Sequence, residues 1–468
     1  MFLKVDGDRG EASEYLSWRK QLRETSMAMQ QLNRPTLISA DWIYTASGLP
    51  IADGAVVVHN GYVIDVGERR NLETRHRYAV HHRHRNAVII PGLVDCHAHL
   101  ELTSFFIGRE FTSLLQLMAA AGDFRRAAGE THIEAGCRRG QALSLQHGIT
   151  CVLDWKSTDY AWYAGRDTPR MVFACEIVAP APNCLDRVME RLKKISGAFP
   201  PNGPQYARLA LAPHSLYMTC GRVWQELLHT ARRCSYPITS HVAESSFEMD
   251  WLSDQGQTLA EHCCARSQIA RKARSYAGIV DVLSDRGHLH YPMILAHGVH
   301  LGFDELLVLA RFGHALCICP SSNLMLHGRT VDLALVLQSG ILMVLGTDSV
   351  RGQYDVLGEA RVLLRQYSRK NRRLRSEVAD RLLKACTINA AMVLKWSDRI
   401  GSIQTGRFAD VIVLDCPPVK CVEDLALAVV TEAAITAVYL GGQLQQPLRH
   451  EHGSRHSQQG NSRWSADG

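Results

Sequence analysis

Eight short, nearly continuous apolar runs lie in the middle of the chain, and amphipathic segments separate most of them. Continuous apolarity is typical of parallel strands buried on both faces, and intervening segments such as IEAGCRRGQALSLQH have the pattern of helices. The repeated alternation of strand and helix predicts an α/β fold of the (β/α)8 TIM-barrel type. A doubly wound open sheet is the alternative, but no glycine-rich phosphate loop follows any of the runs.

Alternating runs, typical of half-buried strands, stand on either side of this region. GAVVVHN and GYVIDVG are joined by Asn60 and Gly61, a pair that favours a two-residue β-hairpin. A similar pattern of strand-forming residues recurs after residue 400 in FADVIVLD, so we predict that both ends of the chain build one small composite β-sandwich. The predicted domains are a polar N-terminal extension (1–34), the two sandwich parts (35–90 and 396–448), the barrel (91–395) and a disordered tail (449–468).

Composition places the chain among ordinary globular enzymes. Hydrophobic residues make up 46% and charged residues 21% of the 468 positions, and the net charge is +6. No basic helix with interleaved aromatic residues is present, and no apolar run reaches the roughly 18 residues that span a bilayer, so we expect neither nucleic-acid nor membrane binding. The scattered cysteines contain no CxxC and no apolar leader precedes them, which predicts reduced thiols and a cytoplasmic location.

Histidines and carboxylates recur where the apolar runs end. In PGLVDCHAHLELT, His97 and His99 close the first run, and strand alternation would turn Glu101 to the same side. The C-terminal ends of barrel strands meet at one face, where this fold places its chemistry. The other polar residues at run ends are His214 on the fourth run, His241 and Glu244 on the fifth, His297 on the sixth and Asp348 on the eighth.

This repeated placement predicts a metal site. Imidazole and carboxylate groups suit Zn²⁺ or Fe²⁺, and an open coordination position would hold a water whose pKa the ion lowers towards neutrality. A carboxylate nearby would still have to move protons, and Glu244 lies three residues beyond His241. The pattern favours a metal-dependent hydrolase.

Several of these segments resemble a known group of enzymes. PGLVDCHAHLE, SHVAES, LAHGVHL and LGTDS are similar to the strand-end motifs of the amidohydrolase superfamily, in particular its deaminase and chlorohydrolase branch. The resemblance runs from about residue 37 to 445 and implies hydrolytic deamination of an amino-substituted nitrogen heterocycle. The residues that it implies are the metal ligands His97, His99, His241 and Asp348, the acid/base Glu244, and His297 as hydrogen-bond partner of the attacking hydroxide or the tetrahedral intermediate.

The same resemblance bears on the number of metal ions. Relatives with two ions carry a carbamylated lysine on the fourth strand, whereas the fourth run here ends in His214 and contains no lysine. Lys156 lies just past the second run, which is the wrong place for such a bridge. We therefore expect one divalent ion, Zn²⁺ or Fe²⁺, with Asp348 serving both as ligand and as proton partner of the attacking water.

Smaller features point towards a substrate. The HLE ending, the AES after His241 and the serine after Asp348 look most like aminodeoxyfutalosine deaminases, which act on the futalosine route to menaquinone. Ser321 stands where that group often has arginine, and DSVRGQYDVL lacks the Ser-Asn that commonly follows the aspartate, so a deaminase of the S-adenosylhomocysteine or guanine type and a chlorohydrolase stay open. Leu216 stands where proline is common, so we expect the loop around it to differ. The substrate-binding residues implied are Glu101, Glu176, His214, Tyr217 and Ser349.

Two further classes of protein are weighed against deamination. An amide hydrolase of the same superfamily would have a different leaving group, and a non-catalytic scaffold would be expected to have lost metal ligands, all of which are present. Residues 104–130 are a candidate lid from which Arg125 or Arg126 would reach a substrate carboxylate. The expected partner is a small heterocyclic substrate, with a homodimer as the expected assembly because relatives are often dimers.

Overall fold

The computed structural model describes residues 34–159, 163–199, 206–253, 274–370, 374–419 and 421–445. Apart from Arg34, the predicted N-terminal extension lies outside the described residues, as does the predicted disordered tail. None of the helices in the described segments is long and apolar enough to cross a membrane.

The strands of these segments are β1 (Thr36–Ile43), β2 (Ile51–His59), β3 (Tyr62–Glu68), β4 (Val80–Arg83), β5 (Ala87–Pro91), β6 (Leu93–Ala98), β7 (Ile149–Lys156), β8 (Arg170–Ile177), β9 (Ala207–Pro213), β10 (Thr239–Val242), β11 (Ile294–His297), β12 (Ala315–Ile318), β13 (Leu342–Leu345), β14 (Val411–Asp415), β15 (Ala434–Leu440) and β16 (Gln443–Leu444).

Strands β6 to β13 run parallel in two four-stranded sheets, ordered β6-β7-β8-β9 and β10-β11-β12-β13. Every residue of β6, β7 and β8 is buried, as continuous apolar runs require when both faces of a sheet are covered. The predicted α/β class with parallel strands is confirmed.

The two parallel sheets are linked at both of their edges. Between β9 and β10, the Leu211 N–H donates to Pro237 O at 3.0 Å and the His241 N–H donates to His214 O at 3.0 Å. On the other side, the Asp348 N–H just beyond β13 donates to His97 O on β6 at 2.7 Å. Links of this kind are those expected where a (β/α)8 barrel closes.

Helices connect the strands and bury one face each. In the helix Leu185–Ser196, for example, the buried residues are Val188, Leu192 and Ile195, which follow the i, i+4, i+7 spacing of a helix stripe. The helices are α1 (Arg69–Arg75), α2 (Thr103–Phe106), α3 (Leu114–Ala127), α4 (Glu130–Gln146), α5 (Leu185–Ser196), α6 (Gly221–Cys234), α7 (Ser246–Ser253), α8 (Ile279–Asp285), α9 (Phe303–Arg311), α10 (Pro320–His327), α11 (Leu333–Ser339), α12 (Val356–Lys370), α13 (Arg375–Ala385), α14 (Ile388–Val393) and α15 (Leu425–Thr431).

The remaining strands form one eight-stranded sheet from both ends of the described chain. Its order is β16-β15-β14-β5-β1-β2-β3, with β4 beside β1, and β14 pairs antiparallel with β5. The predicted hairpin is confirmed: Asn60 and Gly61 both have positive φ, as a turn that matches the strand twist requires, and His59 pairs with Tyr62. The shared sheet agrees with the predicted joining of both ends, while its folding into a sandwich stays a prediction.

Residues from both parallel sheets belong to one buried cluster. Alternate residues of the strands meet in this cluster, which is rich in alanine and cysteine, including Cys96, Cys151, Ala174, Ala212 and Cys317. None of the cysteines in the described segments forms a disulfide, and most of them are buried. These thiols therefore act as small apolar groups in the core.

A buried ion pair ties the parallel strands to the end sheet. Arg170, the first residue of β8, donates from Nη2 to Oδ1 of Asp410 at 2.9 Å, and the guanidinium lies 3.6 Å from the ring centroid of Phe408. Asp410 directly precedes β14 and also accepts the N–H of Gly441 at 2.8 Å. One carboxylate thus satisfies groups from two layers of the fold.

We predict that Asp410→Asn lowers the free energy of unfolding by about 3–5 kcal/mol, because it leaves a buried guanidinium without a counter-charge. Urea denaturation measures the change. The matched control is Glu377→Gln, which removes one partner of the exposed Arg381 ion pair and should cost less than about 1 kcal/mol. Equal effects of the two variants would contradict this assignment.

Candidate metal centre and active site

Asp348 lies between the two histidines of the first parallel strand. His97 is the penultimate residue of β6 and His99 follows the strand, and Asp348 lies three residues beyond β13. Oδ1 of Asp348 is 3.2 Å from Nε2 of His97 and 3.3 Å from Nε2 of His99. All three side chains are buried, so the structure brings together residues from the first and last parallel strands.

Two more histidines complete a cluster of rings. The ring centroid of His241, on β10, is 4.9 Å from that of His97 and 5.2 Å from that of His297, the last residue of β11. One potential ligand atom from each of these three residues lies within 4.8 Å of the others, and the same holds for His97, His99 and Asp348. The two groups share His97, so the four predicted ligands lie in one cluster together with His297.

Neighbouring groups orient these rings. Nδ1 of His241 donates to the carbonyl oxygen of His214 at 2.8 Å, and Nδ1 of His297 donates to Oδ1 of Asn323 at 2.9 Å. The bond of His241 leaves its Nε2 atom as the nitrogen with a free lone pair, whereas Nε2 of His297 faces Oε1 of Glu244. Oδ2 of Asp348 accepts from Oγ of Ser322 at 2.5 Å, which leaves Oδ1 facing the histidines.

A second carboxylate holds the two strand ends in register. Asp95 accepts the backbone N–H of His97 at 3.1 Å and, across the seam, the backbone N–H of Thr347 at 3.1 Å and its hydroxyl at 2.6 Å. Burial raises the pKa of Asp95 to about 7. The sequence analysis missed Asp95 as a residue that joins the two strand ends. Its position as a polar residue inside an otherwise apolar run was the signal that could have indicated this role.

The donor set fits a divalent ion. Both ring nitrogens of His97 and Nδ1 of His99 are buried and have no hydrogen-bond partner among the described residues, an arrangement that is costly unless another group binds there. Burial lowers the pKa of His97 to about 4, so its ring is neutral and able to act as a ligand. Burial opposes ionisation of Asp348, but its contacts to His97 and His99 hold its pKa well below the usual range. Imidazoles and one carboxylate are suitable ligands for Zn²⁺ and Fe²⁺.

Glu244 lies beside this cluster. It follows β10 in a buried turn, and Oε1 is 3.9 Å from Nε2 of His297 and 3.5 Å from Nε2 of His327. Its backbone N–H donates to Oε2 of Glu248 on α7 at 3.2 Å. Burial would raise the pKa of Glu244, but the two nearby histidines bring it below the usual value.

A small cavity of about 70 Å³ connects these groups. Glu176 and His214 form part of its wall, with His214 Nε2 3.6 Å from Glu176 Oε1. Helix α3 covers the cavity, and Arg125 is its charged residue among those that line the cavity. The residues that line the cavity are His99, Leu102, Phe106, Leu114, Leu117, Met118, Ala121, Arg125, Glu176, His214, His241, Glu244, His297 and Asp348.

Glu101 does not continue the strand alternation. Strand β6 ends at Ala98, and Glu101 lies in a short 3₁₀ turn, so its carboxylate is directed elsewhere than the ring of His97. It accepts from Nε of Arg125 at 2.7 Å and lies 3.7 Å from Nζ of Lys156. Burial opposes its ionisation, but these two cations lower the pKa of Glu101 to about 2.

The other two predicted substrate residues, Tyr217 and Ser349, are both buried. The buried ring of Tyr217 packs against Phe247 at a centroid distance of 5.2 Å, and Oγ of Ser349 accepts the backbone N–H of His99 at 2.8 Å. Neither is among the residues lining the cavity. A direct role of Tyr217 or Ser349 in substrate binding therefore stays a prediction.

The cations near the site are Lys156 and Arg125. The prediction that Lys156 lies past the second strand is wrong, because it is the last residue of β7. Its Nζ atom lies 3.3 Å from Sγ of Cys137. Nη2 of Arg125 lies 3.7 Å from Oε2 of Glu176, whereas Arg126 pairs with the exposed Asp123. Of the two candidate arginines, the structure places Arg125 at the cavity.

Trp155 on β7 is a further residue that the sequence analysis missed. Its ring centroid is 4.2 Å from that of His241 and 4.9 Å from that of His97, and the side chain is fully buried. A tryptophan in an apolar run has the same appearance as an ordinary core residue, so no signal in the sequence distinguishes it.

Comparison with known proteins identifies the family. The model of the amidohydrolase family matches residues 88–444, and the chain therefore belongs to this family. It is 25% identical over 373 residues to the 5-methylthioadenosine/S-adenosylhomocysteine deaminase of Desulforamulus reducens, covering 76% of this chain and 80% of that protein. It is 26% identical over 330 residues to the aminodeoxyfutalosine deaminase of Deinococcus radiodurans, covering 67% of this chain and 76% of that protein. The predicted resemblance and the class of hydrolytic deaminase are confirmed.

The fold has close counterparts among solved structures. Aminofutalosine deaminase of Helicobacter pylori, in complex with methylthio-coformycin, superposes with a TM-score of 0.74 at 18% identity, covering 88% of this chain and 100% of that chain. At this identity the superposition shows a shared fold and leaves the substrate open.

We predict that Gly346→Ala lowers zinc affinity by about 10-fold or more. A Cβ at this position would lie 2.5 Å from Cβ of His97 and 2.8 Å from its backbone nitrogen, so the ligand would be displaced. Competition with a chromogenic chelator measures the affinity. Gly67→Ala on β3 is the control because a Cβ there has no atom within 4 Å. Unchanged affinity in Gly346→Ala would contradict the assignment of His97 as a ligand.

Proposed function

We propose that this protein hydrolytically removes the exocyclic amino group of a 6-aminopurine ring, with 6-amino-6-deoxyfutalosine, on the route to menaquinone, as the first candidate substrate. The observation that carries the proposal is the convergence of His97, His99, His241 and Asp348 beside the buried carboxylate of Glu244. The names of the two curated relatives support this substrate class. We further propose that the eight parallel strands close into the (β/α)8 barrel of the family and that both ends of the chain form its β-sandwich.

The residues proposed to hold the ion are His97, His99, His241 and Asp348. When bound, a single Zn²⁺ or Fe²⁺ supplies a Lewis acid that brings the pKa of a water towards neutrality. A single ion is proposed because Lys156, paired with Cys137 and Glu101, is not among the residues that line the cavity.

Glu244 is proposed to move protons at its Oε1 atom. Ionised, it accepts a proton from the attacking water and delivers it to a ring nitrogen of the substrate, which makes the ring carbon electrophilic. Nε2 of His297 faces the same space and is proposed to bind the oxygen that adds to the ring. Asp348, next to His97 and His99, is proposed to accept the remaining proton of the hydroxyl group that has added to the ring and to pass it to the amino group, which then leaves as ammonia.

Glu176 and His214 are proposed to bind the substrate, since both line the cavity and face one another. The enclosed volume of about 70 Å³ is below the roughly 300 Å³ at which small-molecule sites begin. We therefore propose that α3 is a lid that opens for substrate entry and is held closed when Arg125 contacts Glu101 and Glu176. Closure of this kind excludes water from the reaction.

The first test measures metal content together with ammonia release. The substrates are 6-amino-6-deoxyfutalosine, adenosine, S-adenosylhomocysteine, guanine and a chloro-triazine, and we expect one ion per chain and ammonia from a 6-aminopurine compound. Metal without ammonia would overturn the deaminase and favour amide hydrolysis. Absence of both metal and turnover after reconstitution with zinc or iron would overturn the catalytic assignment altogether.

We predict that Glu244→Gln retains the metal and loses activity by about 10²–10⁴-fold, because the amide has the shape of the carboxylate but cannot accept the proton. Metal analysis and steady-state kinetics measure the two effects. Glu248→Gln is the control on the same segment, since burial raises the pKa of Glu248 to about 8 and a neutral amide resembles its protonated form. Substantial turnover by Glu244→Gln would exclude the assigned role.

A further inference from the structure

His327 contacts the proposed proton carrier. It is the last residue of α10, and its Nε2 atom lies 3.5 Å from Oε1 of Glu244. This nitrogen is buried and has no other hydrogen-bond partner among the described residues. Helix α10 ends at this point because Gly328 adopts a positive φ of 66°, which turns the chain away and leaves the imidazole directed at the carboxylate.

The two imidazoles that face Glu244 differ in what else they do. His297 is fully buried and lines the cavity, and its Nδ1 atom donates to Oδ1 of Asn323. His327 does not line the cavity and is only half-buried as a residue. It can therefore act on the reaction only through Glu244, whereas His297 can meet the substrate directly.

Basic groups also lie near His327. Gly328 and Arg329 are exposed, and His300 lies close enough to be affected by both Arg329 and His327. Burial, followed by the charges of Arg329 and His327, lowers the pKa of His300. Among the described residues, the charged groups identified near His327 are Glu244, His300 and Arg329, and of these Glu244 is the one that can accept from Nε2.

We propose that His327 is a positioning residue for Glu244, donating from Nε2 to Oε1 and holding the carboxylate ionised and aimed into the cavity. This inference rests on the proton-carrying role proposed for Glu244. A buried carboxylate without a donor is free to rotate and is harder to ionise, and both changes slow proton transfer from water.

The test compares His327→Ala, His327→Gln and the control His300→Ala, each with full metal, on the panel substrate that releases most ammonia. We expect His327→Ala to lower kcat about 10-fold or more with KM within about twofold, and to move the acidic limb of the kcat/KM profile to higher pH, because Glu244 loses a group that favours its charged form. His327→Gln keeps an N–H donor and should recover part of kcat, and added imidazole should partly restore His327→Ala. His300→Ala should resemble the wild type.

Three results would overturn the inference: an unchanged kcat and pH profile in His327→Ala, a raised KM with unchanged kcat, or loss of metal from that variant. A readout without turnover separates this inference from the proposed function. In histidine-labelled holoprotein, the ¹⁵N resonances of His327 should differ between the wild type and Glu244→Gln, even if no panel substrate is consumed. Identical resonances would show that the contact is absent, whereas a wild type without ammonia release would refute only the deaminase.

Discussion

The buried carboxylate of Asp348 is the group on which the site depends. A charge in the interior is tolerated only when close partners compensate it, and Asp348 has His97 and His99 on Oδ1 and Ser322 on Oδ2. The backbone of Asp348 is also left-handed, with a φ of 54°, as is that of His297 at 73°. Non-glycine residues keep such conformations only where the surrounding structure determines them, and here that structure is the cluster of buried histidines around Asp348.

The geometry of the site is inseparable from the joining of the first and last parallel strands. Asp95 bonds to Thr347, which is 252 positions away in the chain, and Gly346 leaves room for His97 where a Cβ would collide with it. The ligands therefore come together only after the strands between them have been placed. Non-local pairing of this kind forms late because its loop-closure entropy must be overcome first, so we expect metal binding to report on completion of the fold.

The sequence predicts those parts of the site that depend on local pattern. His97, His241 and Asp348 stand at the ends of apolar runs, and because parallel strands share a direction, their ends meet. Glu101 shows the limit of this reasoning, since the strand stops at Ala98 and a 3₁₀ turn redirects the side chain. The contact of His327 with Glu244 joins the end of α10 to the turn after β10, and no periodicity in the sequence predicts that contact.

Charge balance links the cover of the cavity to its floor. Glu101 and Glu176 contribute two carboxylates, and Arg125 from α3 and Lys156 from β7 contribute two cations. Moving α3 away would leave two acidic groups with a single cation in a region of low dielectric, which is unfavourable unless water enters. Opening of the proposed lid would therefore require hydration of the site, and closing would remove that water. The ion pairs that hold α3 in place would thus also keep the cavity dry for the proton transfer proposed between Glu244 and a substrate.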